Sequence, residues 1–218
     1  MKPLNKYIDH TLLKPAAQKA EIEKLCAEAK ANDFATVCVN PHYIPLAKKC
    51  LEGTDVGVAA VIGFPLGMND TRLKGIEAEL AVAAGATELD MVINVGALKD
   101  GDFDFVTADI KNVIDHAMGR TVKVIIESGL LTDEEIVSAV KCACNAGANF
   151  VKTCTGFGTG SATAHAVSLM KQNCAEGVLV KASGGIRTYE AAMEMIAAGA
   201  DRLGTSSGIA IVEGAKKE

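Results

Sequence analysis

Phe150-Val151-Lys152-Thr153-Cys154-Thr155-Gly156 is the stretch that decides how this chain folds and works. Its β-branched and aromatic residues run into a glycine-rich segment, Gly156-Phe157-Gly158-Thr159-Gly160, and this composition is typical of a buried strand that leads into a loop. Lysine is almost never fully buried unless it has a partner or a task. Burial removes hydration from an ammonium group and favours the neutral amine, which attacks carbonyl groups to form a Schiff base. On this stretch alone, a lysine that reaches solvent from a strand end is an equally good interpretation.

Similar short apolar stretches recur along the chain, with amphipathic helical patterns between them. They begin about 21 to 34 residues apart, which is the size of one strand–helix unit. Eight such units predict a compact (β/α)8 TIM barrel, an α/β fold that occupies residues 1–218 as a single domain. A doubly wound sheet is the alternative, but eight regularly spaced strands disfavour it. The predicted strands begin near Tyr7, Ala35, Val56, Glu88, Val122, Phe150, Val178 and Arg202.

Bulk composition limits the classes of partner. The 218 residues are 49% hydrophobic with a formal net charge of −5, which allows one sizeable core. The acidic balance and the lack of a basic run argue against nucleic acid and against an anionic membrane surface. No apolar run reaches transmembrane length, and none follows the start of the sequence as in a signal peptide. The seven cysteines include no CxxC motif, so we expect free thiols in a reducing cytoplasm.

The tripeptide Ala-Gly-Ala occurs three times, and each copy is predicted to close a helix. Its glycines are Gly85, Gly147 and Gly199, and glycine at this position supplies a left-handed cap that turns the chain into the next strand. The residues five positions after these glycines are Asp90, Lys152 and Gly204. Three strands are therefore predicted to carry chemically important residues at the same height.

Strand parity predicts that several ionisable side chains face the inside of the barrel. Lys152, Asp90, Lys181 and Lys123 each lie on one parity of their strand, and such charges are costly unless they gather in one polar pocket. A second ammonium group near Lys152 would favour its neutral form further, and Asp90 would relay protons through water. A structural lysine–aspartate cluster without chemistry is the alternative. The residues expected to line the pocket are Asp9, Thr11, Cys38, Lys123 and Thr153.

Two glycine-rich loops after the seventh and eighth predicted strands suggest a site for an anionic group. Glycine lets backbone amides approach an oxyanion closely, and TIM barrels commonly bind phosphate with these two loops. Each loop is a weak signal alone, and the pair is a stronger one. The residues expected to bind phosphate are Gly156, Gly184, Gly185, Gly204, Ser206 and Ser207.

Other kinds of site fit the sequence less well. The segment Gly156–Gly160 lacks the third glycine of a dinucleotide-binding loop at the required offset. The four histidines show no metal-ligand spacing, so we expect no metal. Cys38 and Cys154 have no histidine placed to activate them, so they are expected to be thiols that line the pocket rather than nucleophiles.

Several motifs, in order along nearly the whole chain, resemble those of the deoxyribose-phosphate aldolase family of Schiff-base aldolases. They are Ile8-Asp9-His10-Thr11-Leu12-Leu13-Lys14-Pro15, Val61-Ile62-Gly63-Phe64-Pro65-Leu66-Gly67, Glu88-Leu89-Asp90-Met91-Val92-Ile93-Asn94, Val124-Ile125-Ile126-Glu127, Val151-Lys152-Thr153, Lys181-Ala182-Ser183-Gly184-Gly185-Ile186-Arg187-Thr188 and Gly204-Thr205-Ser206-Ser207.

The resemblance implies reversible cleavage of 2-deoxy-D-ribose 5-phosphate to D-glyceraldehyde 3-phosphate and acetaldehyde, a lyase reaction of deoxyribose phosphate catabolism. It implies that Lys152 is the Schiff-base lysine, Lys181 the lysine that perturbs it and Asp90 the proton-relay aspartate. No cofactor is required, the partner is a small phosphosugar, and we expect a homo-oligomer, a dimer or a tetramer. Two departures from the family pattern are Cys154, which replaces a serine, and the lack of a tyrosine after Tyr189.

Two other functions remain open from the sequence. One is another Schiff-base phosphosugar enzyme, such as a transaldolase-like or dehydroquinase-like barrel. The other is a barrel that binds a phosphosugar without catalysis.

Overall fold

Eight parallel strands form a closed barrel in the computed structural model of the chain, which describes residues 2–216. Each strand pairs with the next one along the sequence, and β8 closes the barrel against β1, with Asp9 opposite Gly204. The prediction of a (β/α)8 barrel is therefore confirmed. The strands are β1 Ile8–Leu12, β2 Thr36–Val39, β3 Gly57–Ile62, β4 Glu88–Val92, β5 Thr121–Ile125, β6 Phe150–Lys152, β7 Leu179–Ser183 and β8 Arg202–Thr205.

Helices surround the barrel and separate consecutive strands. Short 3-10 helices at Leu4–Tyr7, Pro41–Tyr43 and Ser128–Leu130 complete the connections. The α-helices are α1 Lys19–Ala31, α2 Ile44–Cys50, α3 Thr71–Ala84, α4 Val95–Lys99, α5 Phe103–His116, α6 Asp133–Ala146, α7 Ala164–Asn173, α8 Tyr189–Ala197 and α9 Gly208–Gly214.

The outward-facing residues of the strands form the main hydrophobic core with the helices. Ile8, Leu89, Val151 and Val180 have no exposed surface and belong to this core, as their parity predicted. Alternation along each strand then leaves the other set of side chains inside the barrel.

The inside of the barrel is divided between apolar and charged side chains. Cys38, Ala59 and Val61, on β2 and β3, form a small apolar cluster with Leu13, and Phe64 packs against it. The charged side chains come from β1 and from β4 to β8, and most of them are fully buried. One side of the barrel interior can therefore hold an ionic network while the other side packs as ordinary core.

Helix caps set where the chain turns back into the barrel. Gly85, Gly147 and Gly199 all have positive φ angles, of 114°, 91° and 112°, which confirms the predicted role of the Ala-Gly-Ala repeat. Thr132 and Glu135 form a capping box at the start of α6.

A buried ion pair joins α3 to α5. Lys74 and Asp109 are almost completely inaccessible, and their charged atoms are 2.6 Å apart. The Lys74 ammonium also donates to the carbonyl oxygen of Val92 at the end of β4. Because β4 carries Asp90, this pair ties the helical layer to a strand of the site.

The last helix packs against the barrel as the tail sequence suggests. Ile211 is fully buried, and Ile209 and Val212 are partly buried against the core. The final residues of the tail, 217 and 218, lie outside the described part of the chain. No helix within residues 2–216 is both long and apolar enough to cross a membrane.

Candidate active site

A cleft of about 350 Å³ opens at the carboxyl ends of the strands. Lys152 forms part of its wall, with its side chain 3% exposed. A larger surface depression, of about 470 Å³, lies beside α2 and the start of β3, and its Lys48, Lys49 and Glu52 form no ion pair with one another. Because active sites of this fold lie at the carboxyl ends of the strands, we assign the site to the smaller cleft.

Asp90 lies at the centre of a buried cluster of three lysines. Its Oδ2 atom accepts hydrogen bonds from Lys152 Nζ at 2.8 Å and from Lys181 Nζ at 2.7 Å. Its Oδ1 atom accepts one from Lys123 Nζ at 2.7 Å. The strands thus bring together the three residues expected to be catalytic, and Lys123 joins them from below.

The cluster fixes the charges of its members. Burial alone would raise the pKa of the Asp90 carboxyl, but the ammonium groups of Lys123, Lys152 and Lys181 outweigh it and hold that pKa well below its ordinary value. Burial alone would lower the pKa of Lys181, but Asp9 and Asp90 outweigh it and raise that pKa above its ordinary value. A carboxylate and an ammonium group therefore lie side by side next to Lys152.

Lys181 differs in one respect from the sequence expectation, which treated it as a bare positive charge beside Lys152. Its Nζ lies 2.5 Å from Asp9 Oδ2 as well as 2.7 Å from Asp90 Oδ2. Two carboxylates thus compensate its charge. Any effect on Lys152 depends on the balance of the whole cluster rather than on one lysine–lysine pair.

Most of the side chains expected to line the pocket lie beneath it instead. Thr11 does line the cleft, whereas Asp9, Cys38, Lys123 and Thr153 are buried and do not. Asp9, Cys38 and Lys123 do lie inside the barrel, but their depth along the barrel axis follows from the stagger of the strands, which parity does not contain. Thr153 shares the outward parity of Val151, and its hydroxyl donates to the carbonyl oxygen of Ser183. Cys38 packs in the apolar cluster, and burial raises the pKa of its thiol.

Five of the six residues expected to bind phosphate line the cleft: Gly156, Gly184, Gly185, Gly204 and Ser206. Lys14 and Arg187 line the cleft too. Ser207 does not, because its amide donates to Thr205 Oγ1 at 2.9 Å in a local turn before α9. The sequence reasoning passed over Thr205 itself, whose hydroxyl donates to the carbonyl oxygen of Ile186 and so links the two loops.

Consecutive left-handed glycines shape this part of the cleft. Gly184 and Gly185 have φ angles of 98° and 80°, where other residues are strained. A Cβ at Gly185 would also lie 3.0 Å from the Cβ of Ser161. The backbone therefore keeps this shape only with glycine at both positions.

Glu127 is a further residue whose role sequence reasoning missed. Its φ of 53° departs from strand geometry, and its Oε2 atom accepts hydrogen bonds from the amide and the hydroxyl of Thr155. Thr155 lines the cleft, so Glu127 fixes the loop that follows Lys152. Glu127 follows the end of β5 with a left-handed backbone, so the alternation of side chains along the strand does not extend to it.

The comparisons with known proteins agree with this geometry. A family model described as DeoC/LacD family aldolase matches residues 4–214. The chain belongs to the DeoC/LacD aldolase family. This family match spans every strand of the barrel and all the residues of the site.

Individual relatives of this aldolase cover nearly its full length. Deoxyribose-phosphate aldolase of Thermococcus gammatolerans is 57% identical over 215 residues, 97% of this chain and 96% of that protein. Deoxyribose-phosphate aldolase 2 of Bacillus licheniformis is 56% identical over 210 residues, 96% of this chain and 94% of that protein. The solved structure of deoxyribose phosphate aldolase from Aeropyrum pernix, described as a unique tetramer, has a TM-score of 0.91 at 35% identity and covers 98% of this chain and 91% of that one.

Two further observations concern the sequence predictions about Cys154 and about metal binding. Cys154, the replacement for serine, is buried, with its sulphur 3.4 Å from Ser128 Oγ. It does not line the cleft. Within residues 2–216, no group of three histidine, cysteine or carboxylate side chains is arranged to hold a metal ion; that the reaction needs none stays a prediction.

Proposed function

We propose that this aldolase cleaves 2-deoxy-D-ribose 5-phosphate reversibly to D-glyceraldehyde 3-phosphate and acetaldehyde through a Schiff base on Lys152. The observation that carries the proposal is Lys152 itself. It reaches the cleft, whereas Lys123 and Lys181 are fully enclosed beneath it. The curated relatives named deoxyribose-phosphate aldolase support this choice of substrate.

The chemistry needs an amine, a proton acceptor and a proton donor. The Lys152 amine adds to the C1 aldehyde of the open-chain sugar and water is lost, which leaves an iminium ion. The C3 hydroxyl then gives up its proton while the C2–C3 bond breaks, and the bonding electrons move into the iminium to form an enamine. Protonation of the enamine at C2 and hydrolysis release acetaldehyde and restore the amine.

The neighbours of Lys152 suit these proton transfers. Asp90 is a carboxylate and Lys181 an ammonium group, and they share a 2.7 Å hydrogen bond next to the amine. We propose that they move protons between the C3 hydroxyl, bound water and C2. Lys123 holds Asp90 from the other side and does not touch substrate.

The phosphate group is proposed to bind at the glycine-rich end of the cleft. Backbone amides of glycine loops bind oxyanions well because no side chain blocks the approach. The positive charges of Lys14 and Arg187, which line the same cleft, favour an anion there. Substrate would thus span from the amine to these loops.

Borohydride trapping tests the covalent step. Acetaldehyde and borohydride should convert Lys152 to an N-ethyl lysine, which peptide mass mapping locates. Lys152→Met should abolish the adduct, and Lys171→Met, a change of equal charge at a partly exposed surface lysine, should not. An adduct found mainly on Lys123 or Lys181 would contradict the assignment.

Turnover decides between the proposed reaction and its rivals. Release of glyceraldehyde 3-phosphate and acetaldehyde from deoxyribose 5-phosphate is expected. A transaldolase-like or dehydroquinase-like enzyme would trap its own substrate but not acetaldehyde. A barrel that binds phosphosugar without catalysis would form no adduct at all.

We also propose that the chain assembles into a homo-oligomer, a dimer or a tetramer. Leu73, Ile76 and Leu80 are exposed along one face of α3, and with Pro41 they line an apolar groove. An exposed apolar surface of this kind suits contact with a second copy. Light scattering should give a multiple of the chain mass for the wild type and a lower mass for Ile76→Lys; a monomeric wild type would contradict the proposal.

The proposed compartment is the cytoplasm. All seven cysteines are free, including three partly exposed ones, Cys50, Cys144 and Cys174, and free thiols are typical of a reducing environment. Cell fractionation should recover the protein with a cytoplasmic marker, and recovery with a secreted one would contradict it.

A further inference from the structure

Six charged side chains form a closed ring inside the barrel, under the cleft. Positive and negative groups alternate around it, so each charge has two opposite neighbours. In order around the ring they are Arg202, Asp9, Lys181, Asp90, Lys123 and Glu88. The nitrogen–oxygen distances are 2.7 Å from Arg202 to Asp9, 2.5 Å from Lys181 to Asp9, 2.7 Å from Lys181 to Asp90, 2.7 Å from Lys123 to Asp90, 2.5 Å from Lys123 to Glu88 and 3.4 Å from Arg202 to Glu88.

The ring is electrically neutral without Lys152. Three cations and three carboxylates cancel, and the carboxylates raise the pKa of Arg202, Lys123 and Lys181 above their ordinary values although burial opposes this. Lys152 is attached from outside through Asp90 alone. A proton on Lys152 is therefore the one positive charge of the cluster that lacks a carboxylate of its own.

Two members of the ring lie away from the cleft. Arg202 and Glu88 are the first residues of β8 and β4, at the opposite end of the barrel from the cleft, and their side chains are 14% and 16% exposed. Neither lines the cleft. The Arg202 guanidinium also lies over the Phe150 ring, 5.6 Å from its centroid. Phe150 is the first residue of β6, the strand that carries Lys152.

We propose that Arg202 and Glu88 are positioning residues that set the net charge of the ring and, through it, the fraction of Lys152 present as the reactive neutral amine. The inference rests on the proposed function, because it takes Lys152 as the nucleophile. Loss of Arg202 leaves the ring with a net charge of −1, which holds a proton on Lys152. Loss of Glu88 leaves it at +1, which repels that proton.

The other charged groups near Lys152 lie outside the ring and do not change its net charge. Glu127 is bound to Thr155 on the loop above, and the thiol of Cys38, whose pKa burial raises, stays uncharged at neutral pH. Lys14 and Arg187 line the cleft, but they do not belong to the ring. The groups that face Lys152 from the packed strands are Asp9 on β1, Cys38 on β2, Asp90 on β4, Lys123 and Glu127 on and after β5, and Lys181 on β7.

The test measures how the rate of imine formation with acetaldehyde depends on pH, by borohydride trapping and quantification of the Lys152 peptide. Relative to wild type, Arg202→Met should move the rise in rate to higher pH by about one unit, and Glu88→Gln should move it to lower pH by about as much. The double variant should return close to wild type. Lys171→Met removes one positive charge from the surface near the same end of the barrel and should leave the profile in place.

Each outcome decides the matter. Opposite shifts that cancel in the double variant support the proposal, whereas unchanged profiles, or shifts of the same sign in both variants, overturn it. If Arg202→Met does not fold, the direction of the shift in Glu88→Gln decides alone. Absence of any adduct in the wild type would instead overturn the proposed function, so the two failures can be told apart.

Discussion

Gly204 must lack a side chain if Lys181 is to keep its place. A Cβ there would lie 3.0 Å from Lys181 Cε and 2.8 Å from Ser183 Cβ. Gly204→Ala should therefore displace Lys181 from Asp90, and a misplacement of about 1 Å can cost ~100-fold in rate. We expect kcat/KM for deoxyribose 5-phosphate to fall by at least about tenfold.

A glycine with more room provides the control for this change. A Cβ at Gly96, in α4, would meet its nearest neighbour at 3.4 Å, an ordinary contact. Gly96→Ala should leave kcat/KM within about twofold of wild type. Equal losses in both variants would mean that the effect is not specific to Lys181.

The placement of single side chains could be predicted from the sequence for some residues and not for others. Parity was enough to orient Lys152 and Asp90, because side chains alternate strictly along a strand. It also applied to Arg202 and Glu88, which share the parity of Gly204 and Asp90, but neither was assigned a role, although Glu88 begins the motif that contains Asp90. Ser207 does not line the cleft, and its amide takes part in a local turn; such turns cannot be derived from glycine content alone.

The buried Lys74–Asp109 pair between α3 and α5 should make the stability of the protein sensitive to the loss of either partner. Lys74→Met leaves the Asp109 carboxylate buried without its ammonium group, which should lower the free energy of unfolding by about 3–5 kcal/mol. Replacing both, as Lys74→Met with Asp109→Leu, should recover most of that loss, because two apolar groups need no compensation. Urea unfolding of the single and double variants measures the difference.

The exposed pair on α5 is the matched control. Lys111 and Asp115 are each 54% exposed, and pairs of this kind contribute at most about 0.5 kcal/mol. Lys111→Met should therefore barely change the urea midpoint. A loss in Lys74→Met no larger than this would contradict the importance of the buried pair.

The positions of the elements follow closely from the sequence. Predicted and observed strand starts agree within one residue, because apolar β-branched runs mark the strands and glycine caps mark several of the helix ends, such as those at Gly85 and Gly147. Helix α4 was not predicted, since five residues are too few to show helical periodicity. The 3-10 helix that follows Glu127 depends on a left-handed residue other than glycine, and no sequence rule predicts that.

The whole molecule should lose stability in acid because of its buried carboxylates. Lysine and arginine neighbours hold the pKa values of Asp9 and Asp90 far below ordinary values, although burial opposes this. Above about pH 5, both groups are ionised in the folded and nearly so in the unfolded chain, so their stabilisation is almost complete. Below that pH, only the unfolded chain takes up protons, and the free energy of unfolding should fall by up to about 1.4 kcal/mol per pH unit for each group.

Urea midpoints between pH 7 and pH 3 measure this slope. Asp9→Asn removes one of the two groups, so its midpoint should depend less steeply on acid, while its stability at pH 7 is already reduced. Asp115→Asn, at an exposed position of α5, serves as the control and should keep the wild-type slope. If the urea midpoint of Asp9→Asn depended on pH as steeply as that of the wild type, Asp9 would not contribute to the loss of stability in acid.

The ring of charges also has a consequence for how the protein folds during translation. Asp9 leaves the exit tunnel early, but its partners Lys181 and Arg202 follow 172 and 193 residues later. At ~5–20 residues per second, the nascent chain waits on the order of ten seconds or more before that carboxylate can be enclosed. Stalled chains that end before Arg202 should thus stay sensitive to protease, and chains extended past Thr205 by a linker long enough to clear the tunnel should become resistant. The ribosome must therefore synthesise the chain almost to the end of β8 before the barrel can close.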